Sequence, residues 1–255
     1  MVAKALESLR SALPSGVELV AVSKFHPVSR LMEAYDAGQR IFAESRPQEL
    51  ASKVPEMPSD VKWHFIGHLQ TNKLKLVLPY VDLVQSVDSL HLLQAINAWG
   101  AANSRVINVL LELHLGAEET KQGFSTEEIN DILRGEGVLS KTPGHPRPGK
   151  REGPKAARSA APGRGREATV GDSTPSPQSN VRICGLMGMA TNTEDMAVVE
   201  KDFERIEKLF LQIKAMGIPG FDQLSIGMSG DWPVAVRHGA TMVRIGTDIF
   251  GPREY

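Results

Sequence analysis

The chain has 255 residues, of which 41% are apolar, enough for one large hydrophobic core. Its formal net charge of −1 argues for no particular charged partner of the whole molecule, and its single cysteine, Cys184, excludes an intrachain disulfide and a cysteine cluster for zinc. The sequence shows no signal-peptide pattern and no run of roughly 20 apolar residues. We therefore expect a cytoplasmic protein without a membrane span.

Short β-branched apolar runs alternate with amphipathic segments along the chain. Strands are predicted at 17–24, 40–45, 62–68, 83–88, 106–114, 181–190, 221–229 and 241–247. Helices are predicted at 27–38, 47–54, 71–81, 89–103, 125–133, 193–217 and 232–239. This alternation is typical of α/β folds with a parallel sheet, and eight units favour a single (β/α)8 TIM barrel. An open doubly wound sheet is the alternative, although the turn after the first strand (23–27) lacks the glycines common in that fold.

Residues 135–180 interrupt the alternation. They are rich in Gly, Pro, Ser, Arg and Lys, and the segment 134–180 has nine basic and four acidic residues. Because such a segment cannot bury enough apolar surface to offset its ordering entropy, we predict a disordered loop insertion before strand six, within one 1–255 barrel domain. A solvated insertion without a partner is the simpler interpretation, so no nucleic acid is expected. Binding of RNA or an acidic protein through this basic segment is the other interpretation.

Lys24 closes the first apolar strand, LVAVSK, at the end of the barrel where chemistry takes place. An ammonium group is costly to bury, and burial favours the neutral amine, which can attack a carbonyl group. A lysine that extends to solvent from the strand end is the structural alternative.

Four small or hydroxyl-bearing residues follow the seventh and eighth strands: Gly227, Ser229, Gly246 and Thr247. Barrels of this class often bind phosphate at these two loops, where glycines permit close backbone approach and hydroxyls donate hydrogen bonds. Two ordinary βα turns are the alternative. Together with Lys24, a phosphate site would suit a ligand with both a carbonyl and a phosphate group, such as pyridoxal 5'-phosphate (PLP).

Other candidate residues carry weaker signals. His64 and His68 are four residues apart on a strand and have no third ligand at metal spacing, so no metal is expected. Cys184 lies in the middle of a strand, where a small core residue is the simplest interpretation.

Eight stretches of the chain together resemble the pyridoxal phosphate homeostasis protein family, whose fold is similar to the N-terminal barrel of alanine racemase. They are AVSKFHP (21–27), IFAESRPQEL (41–50), WHFIGHLQTNK (63–73), QSVDS (85–89), ETKQGF (119–124), GLMGMA (185–190), LSIGMSGDW (224–232) and MVRIGTDIFGPREY (242–255). They occur in the family's order and cover nearly the whole chain outside the insertion.

The resemblance implies a set of cofactor-binding residues and no established catalytic residue. The set is Lys24, Ser45, His64, Met189, Ser225, Met228, Ser229, Arg244, Gly246 and Thr247. Lys24 would form the Schiff base with PLP, and the phosphate would be held by Ser229, Gly246 and Thr247. Ser225 and Arg244 would lie near the pyridine ring, and which of the two faces the ring nitrogen is left open.

The chain departs from the family's pattern at two places. Many members have Gly-Glu-Asn where this chain has Ala43-Glu44-Ser45, so Ser45 stands where an asparagine contact is expected. Many members also have Asp-Asp after Gly-Met-Ser, where this chain has Gly230-Asp231.

Two functions fit the resemblance, a PLP carrier in vitamin B6 homeostasis and a PLP-dependent amino-acid racemase. Racemases of this fold are expected to add a β-rich C-terminal domain that supplies a second acid/base residue, and this sequence continues only to Tyr255 after its last strand. We therefore expect a carrier without established turnover. PLP-requiring apoenzymes are the expected receivers, and a monomer is the expected state.

Overall fold

The computed structural model describes residues 1–116, 122–134 and 179–252. In this part of the chain, eight parallel strands form one closed barrel in chain order. The strands are β1 (Glu18–Val22), β2 (Ile41–Glu44), β3 (Lys62–Phe65), β4 (Leu83–Val87), β5 (Ile107–Leu113), β6 (Val181–Gly188), β7 (Gln223–Ser225) and β8 (Met242–Ile245). β1 pairs in parallel with both β2 and β8, which closes the barrel and confirms the (β/α)8 prediction over the open sheet.

Helices surround the barrel and connect successive strands. Those in the described residues are α1 (Val2–Ala12), α2 (Val28–Asp36), α3 (Pro47–Lys53), α4 (Leu74–Val77), α5 (Leu90–Ala102), α6 (Thr126–Leu133), α7 (Met196–Lys214), α8 (Trp232–Arg237) and α9 (Thr247–Phe250). Two 3-10 turns, Val54–Glu56 and Thr71–Lys73, follow α3 and precede α4. None of these helices is long and apolar enough to cross a membrane.

The strands are shorter than the sequence predicts, and two helices were not predicted. The eighth strand was predicted to continue to 247 but ends at Ile245, and α9 begins two residues later. α1 precedes the barrel and buries Val2, Leu6 and Leu9, which lie on one helix face because they are four and three residues apart. The predicted disordered insertion falls almost entirely on 135–178, outside the described residues, and stays a prediction.

The core has two layers that follow the alternation of side chains along the strands. Leu19 and Ala21 of β1 belong to a large cluster that includes the buried faces of the helices. Val20 and Val22 belong to a smaller cluster, with members from β2, β4, β5, β6 and β8. Successive strand residues point to opposite faces, so the smaller cluster fills the barrel interior. Cys184 lies in it and is buried, as predicted.

A capping box begins α6, directly after β5 in the described chain. The Glu128 amide donates to Ser125 Oγ at 3.1 Å, and the Ser125 amide donates to Glu128 Oε2 at 2.8 Å. Ser125→Ala is therefore expected to lower the free energy of unfolding by about 1 kcal/mol. Urea denaturation measures the change. Because the two hydrogen bonds depend on each other, the Ser125→Ala/Glu128→Ala double variant should lose less stability than the sum of the losses in the two single variants. Strictly additive losses would contradict the capping box.

Candidate ligand site at the carboxyl end of the barrel

The ten predicted cofactor-binding residues all lie at the carboxyl end of the barrel strands. His64, Ser225 and Arg244 lie in the last two positions of β3, β7 and β8, and the other seven follow strand ends: Lys24, Ser45, Met189, Met228, Ser229, Gly246 and Thr247. Because all strands are parallel, these ends form one rim of the barrel. The structure therefore brings together residues that are up to 223 positions apart in the sequence.

A chain of hydrogen bonds crosses the barrel interior below this rim. Arg244 Nη1 donates to Ser225 Oγ at 2.7 Å, Ser225 Oγ donates to Gln85 Oε1 at 2.7 Å, and Gln85 Nε2 donates to His64 Nδ1 at 2.9 Å. All four side chains are buried. Three of them were predicted as site residues. Gln85 was not, although an amide in the apolar run LVQSV is a signal that it needs a buried partner.

The same chain determines the state of His64. An amide nitrogen only donates, so His64 Nδ1 accepts and the ring proton is on Nε2. Burial, with a smaller effect of the Lys62 charge, lowers the pKa of His64 to about 3. His64 is therefore a neutral ring at physiological pH, consistent with a wall of the site. His68 is exposed, and its Nδ1 lies 2.8 Å from Asp88 Oδ2.

Arg244 is the buried positive charge of the site. Its guanidinium also donates to Ser225 O at 2.7 Å and to Gly188 O at 2.9 Å. The pKa of Arg244 is lowered to about 10, because burial lowers it by more than the charges of Glu112 and Asp231 raise it. The guanidinium is therefore charged at neutral pH and held in one orientation by acceptors on β6 and β7.

Glu112, near the end of β5, is the acidic counterpart of Arg244. The pKa of Glu112 is raised to about 7, because burial and the Asp88 charge raise it by more than Arg244 and His68 lower it. Glu112 is not among the predicted site residues. Its position among the apolar residues of β5 carries no sign that an arginine of β8 would influence its charge.

The rim between β1 and β8 is tightly packed. A Cβ atom on Gly246 would lie 3.3 Å from Val22 O and 3.4 Å from Val22 Cβ, so the end of β8 lies against the end of β1, two residues before Lys24. Lys24 itself is half-buried. The start of α9 therefore lies beside the end of β1, and Lys24 follows that strand end by two residues.

The loop after β7 reaches α9. Ser229 forms a side-chain hydrogen bond with Asp248, which lowers the pKa of that carboxyl against the larger raising effect of burial. Gly227 has a φ of 93°, and a Cβ atom there would lie 2.6 Å from Ala235 Cβ, so glycine permits the loop to pack on α8. Ser229, Gly246 and Thr247 are thus neighbours, as predicted.

Ser45, Met189 and Met228 occupy the rest of the rim. Ser45 follows β2, and a Cβ atom on Gly67 would lie 2.1 Å from Ser45 O, so the ends of β2 and β3 are in close contact. Met189 and Met228 are 46% and 39% exposed. Both line a cavity of about 860 Å³ that also includes Glu112 and Asp231.

Comparison with known proteins identifies the class of barrel. The family of the alanine racemase N-terminal domain matches residues 2–136. The fold and the rim residues therefore define a barrel of the alanine racemase N-terminal type.

Full-length relatives narrow this class. The chain is 32% identical over 244 residues to the pyridoxal phosphate homeostasis protein of Haemophilus influenzae, covering 94% of this chain and 86% of that one. PipY of Synechococcus elongatus PCC7942, solved without PLP, superposes with a TM-score of 0.78 at 30% identity, covering 98% of this chain and 100% of that one. PipY with PLP bound has a TM-score of 0.76 at 29% identity, covering the same shares of the two chains. This chain belongs to the pyridoxal phosphate homeostasis protein family.

Proposed function

We propose that this chain binds PLP as a Schiff base on Lys24 and takes part in the homeostasis of this cofactor. The observation that carries the proposal is the contact of Gly246 with Val22, which puts the start of α9 and Lys24 in one corner of the rim. PLP needs an amine and a phosphate site on one face of the protein. The relatives' names and the PLP-bound structure of PipY support the same ligand.

The residues of this corner fit the phosphate and aldehyde groups. Ser229 and Thr247 offer hydroxyl donors, and the backbone amides that begin α9 add further donors. Gly246 leaves room for an oxygen to approach the backbone. The bound cofactor would supply an electrophilic aldehyde carbon, and Lys24 is the amine at the same corner.

The hydrogen bonds of the barrel interior favour Arg244 over Ser225 as the group that faces the ring nitrogen. The Ser225 hydroxyl donates its proton to Gln85 and accepts from Arg244. The guanidinium has five N–H donors, and three hydrogen bonds to described residues use only part of them. Arg244 can therefore donate to an unprotonated ring nitrogen.

The test is the absorbance of the purified protein after PLP is added, followed by borohydride reduction and peptide mapping. A yellow imine band that reduction fixes on Lys24 is expected. A wild-type protein with no such band would contradict the proposal. Assaying the loaded protein with L- and D-alanine then tests the racemase alternative.

A carrier must pass PLP to other proteins, and we propose that these are PLP-requiring apoenzymes in the cytoplasm. We also propose that this protein is a monomer. An apo-aminotransferase should regain activity faster when it is mixed with the PLP-loaded protein than when it receives the same total amount of free PLP. A phosphatase is present in both samples. Light scattering after size exclusion measures the mass, and a dimer would contradict the monomer.

Asp248 is an acidic group beside the proposed phosphate site and opposes a phosphate dianion there. It follows Thr247 directly and holds the Ser229 hydroxyl. Asp248→Asn is expected to lower the dissociation constant of PLP by about tenfold, because a negative charge within a few ångströms is removed and Ser229 is released. Titration by absorbance measures the change.

Two controls accompany this variant. Pyridoxal, which lacks the phosphate, should bind Asp248→Asn and wild type equally. Asp222→Asn, at the exposed position before β7 at the opposite end of the barrel, should leave PLP binding unchanged. Equal gains for pyridoxal and PLP would show that Asp248 does not act on the phosphate.

A further inference from the structure

Lys24 lies in a turn whose backbone is held from outside the barrel by a buried cluster of charges. The geometry points to a positioning role for this cluster, which is made of Glu44 at the end of β2 and Glu49 and Lys53 on α3. We infer that it fixes the direction in which the Lys24 amine leaves the strand and so sets how readily Lys24 bonds to an aldehyde. This inference rests on the proposed function.

The cluster holds the residues on both sides of Lys24. On the side before it, Lys53 Nζ donates to Ser23 O at 2.9 Å, and Ser23 Oγ donates to Glu44 Oε1 at 2.6 Å. On the side after it, the Phe25 amide donates to Glu49 Oε1 at 2.6 Å. The backbone is thus tied at the residue before Lys24 and at the residue after it.

The three charged groups also bind one another, so the two ties form one unit. Lys53 Nζ donates to Glu44 Oε1 at 2.7 Å and to Glu49 Oε1 at 2.6 Å. With Ser23 O, these acceptors match the three donors of an ammonium group. Loss of Lys53 would therefore release both ties.

Burial makes simple stabilisation a poor explanation for the cluster. The side chains of Lys53 and Glu44 are 6% and 0% exposed. Desolvation of such a pair offsets much of its attraction, and well-packed apolar residues often give equal or greater stability. A cluster of this kind is better explained by the geometry that it imposes, here on the turn that carries Lys24.

The turn has a conformation that needs such support. Phe25 has a φ of 70°, in the left-handed region that is unfavourable for a bulky residue. Glu49 binds its amide, and the Arg46 guanidinium lies over its ring at 4.3 Å from the ring centre. Next along the chain, the His26 ring packs on Phe250 of α9 at 4.9 Å between ring centres. The strained turn therefore contacts α3 on one side and α9 on the other.

Imine formation between Lys24 and the aldehyde of PLP releases one water molecule. The neutral amine nitrogen of Lys24 bonds to the aldehyde carbon, and its two hydrogens leave with the carbonyl oxygen as water while the C=N bond forms. The reaction needs no oxidant or other reactant. It does need the nitrogen lone pair to point at the carbon, and a misplacement of about 1 Å can cost well over tenfold.

The experiment separates positioning of Lys24 from general damage to the site. Lys53→Met keeps the side-chain length without the charge. Each protein is titrated with PLP, read as the imine band, and with pyridoxine 5'-phosphate, read by calorimetry. The second probe has an alcohol where PLP has its aldehyde, so it reports the phosphate and ring contacts without a bond to Lys24.

We expect Lys53→Met to form the imine about tenfold less favourably and to bind pyridoxine 5'-phosphate within about twofold of wild type. Two milder variants form a graded series. Glu49→Gln keeps an oxygen for the Phe25 amide, whereas Glu49→Ala removes it, so Glu49→Ala should weaken imine formation more. This series keeps the test valid if Lys53→Met folds poorly.

A matched control exists on α7, where Glu204 and Lys208 form an exposed pair at 2.8 Å with the same spacing of four residues as Glu49 and Lys53. Lys208→Met and Glu204→Ala should change neither titration. If the cluster variants lost affinity equally for PLP and pyridoxine 5'-phosphate, or for neither, the positioning role would be wrong. The proposed function would still hold as long as the wild-type protein shows the imine band. A wild-type protein without the band would overturn the proposed function and this inference with it.

Discussion

Lys24→Ala is expected to abolish the imine band and to weaken PLP binding by at least about a hundredfold. The reason is that the alanine variant keeps only the phosphate and ring contacts and has no amine at the corner formed by the end of β1 and the start of α9. The free energy of unfolding should change little, because Lys24 is half-buried at a strand end and outside both apolar clusters. Absorbance titration and borohydride labelling measure the loss.

The matched control is Lys62→Ala, which removes an exposed lysine from the first position of β3, at the amino end of the barrel. It should retain the full imine band and label at Lys24. An undiminished band in Lys24→Ala would show that another lysine carries the Schiff base, and peptide mapping would identify it. In that case, the proposed role of Lys24 is wrong, although the phosphate corner could still bind the cofactor.

Arg244→Met is expected to lower the free energy of unfolding by about 3–5 kcal/mol at alkaline pH. The substitution leaves three buried acceptors without their donor, namely Ser225 O, Ser225 Oγ and Gly188 O. It also leaves Glu112 buried without the positive charge that lowers its pKa. The buried Glu112 carboxylate, whose pKa the Arg244 charge lowers, accounts for about half of this loss.

The stability loss in Arg244→Met should depend on pH, because Glu112 titrates near neutral pH. The folded-state pKa of Glu112 is raised to about 7, above its unfolded value, so the folded state binds the extra proton and stability falls as the pH rises through about 7. Without Arg244 this pKa rises further. The loss in Arg244→Met should therefore be clearly smaller at about pH 5.5, where Glu112 is neutral in both proteins, than at about pH 8.5. Urea denaturation at the two pH values measures it.

Glu112→Gln tests the pairing directly. Added to Arg244→Met, it removes the uncompensated charge and should restore about half of the stability lost at alkaline pH while changing little at acidic pH. A loss in Arg244→Met that is equal at both pH values, or that the second substitution does not reduce, would contradict the pairing of Glu112 with Arg244.

Local sequence patterns account for most of the fold and for the position of the rim residues. The β-branched runs and the helix periodicity predict alternating elements at nearly the observed places, because both depend on residues only a few positions apart. The parallel order of the strands follows from that alternation, since each helix returns the chain to the same end of the sheet. Lys24, Ser229 and Thr247 could then be placed on one rim from their positions at strand ends alone.

Element boundaries were less predictable. The eighth strand was predicted to reach 247 because MVRIGT reads as one apolar run, yet β8 stops at Ile245 and α9 begins at Thr247. Pairing with β1 extends only from Met242 to Ile245, and beyond it Gly246 packs against Val22. The end of a strand depends on how far its neighbours extend, and no local pattern contains that information.

By itself, the sequence predicted a (β/α)8 barrel and placed Lys24, Ser229 and Thr247 at its carboxyl rim. Only the tertiary structure decided how the polar residues pair: Ser225 with Gln85, 140 positions away, and Lys53 with Ser23, 30 positions away. Local periodicity determines which face of an element is buried, because it depends on backbone geometry that is the same in every chain. Which buried polar group meets which depends on strand register and helix docking, and these are set by the packing of the whole barrel.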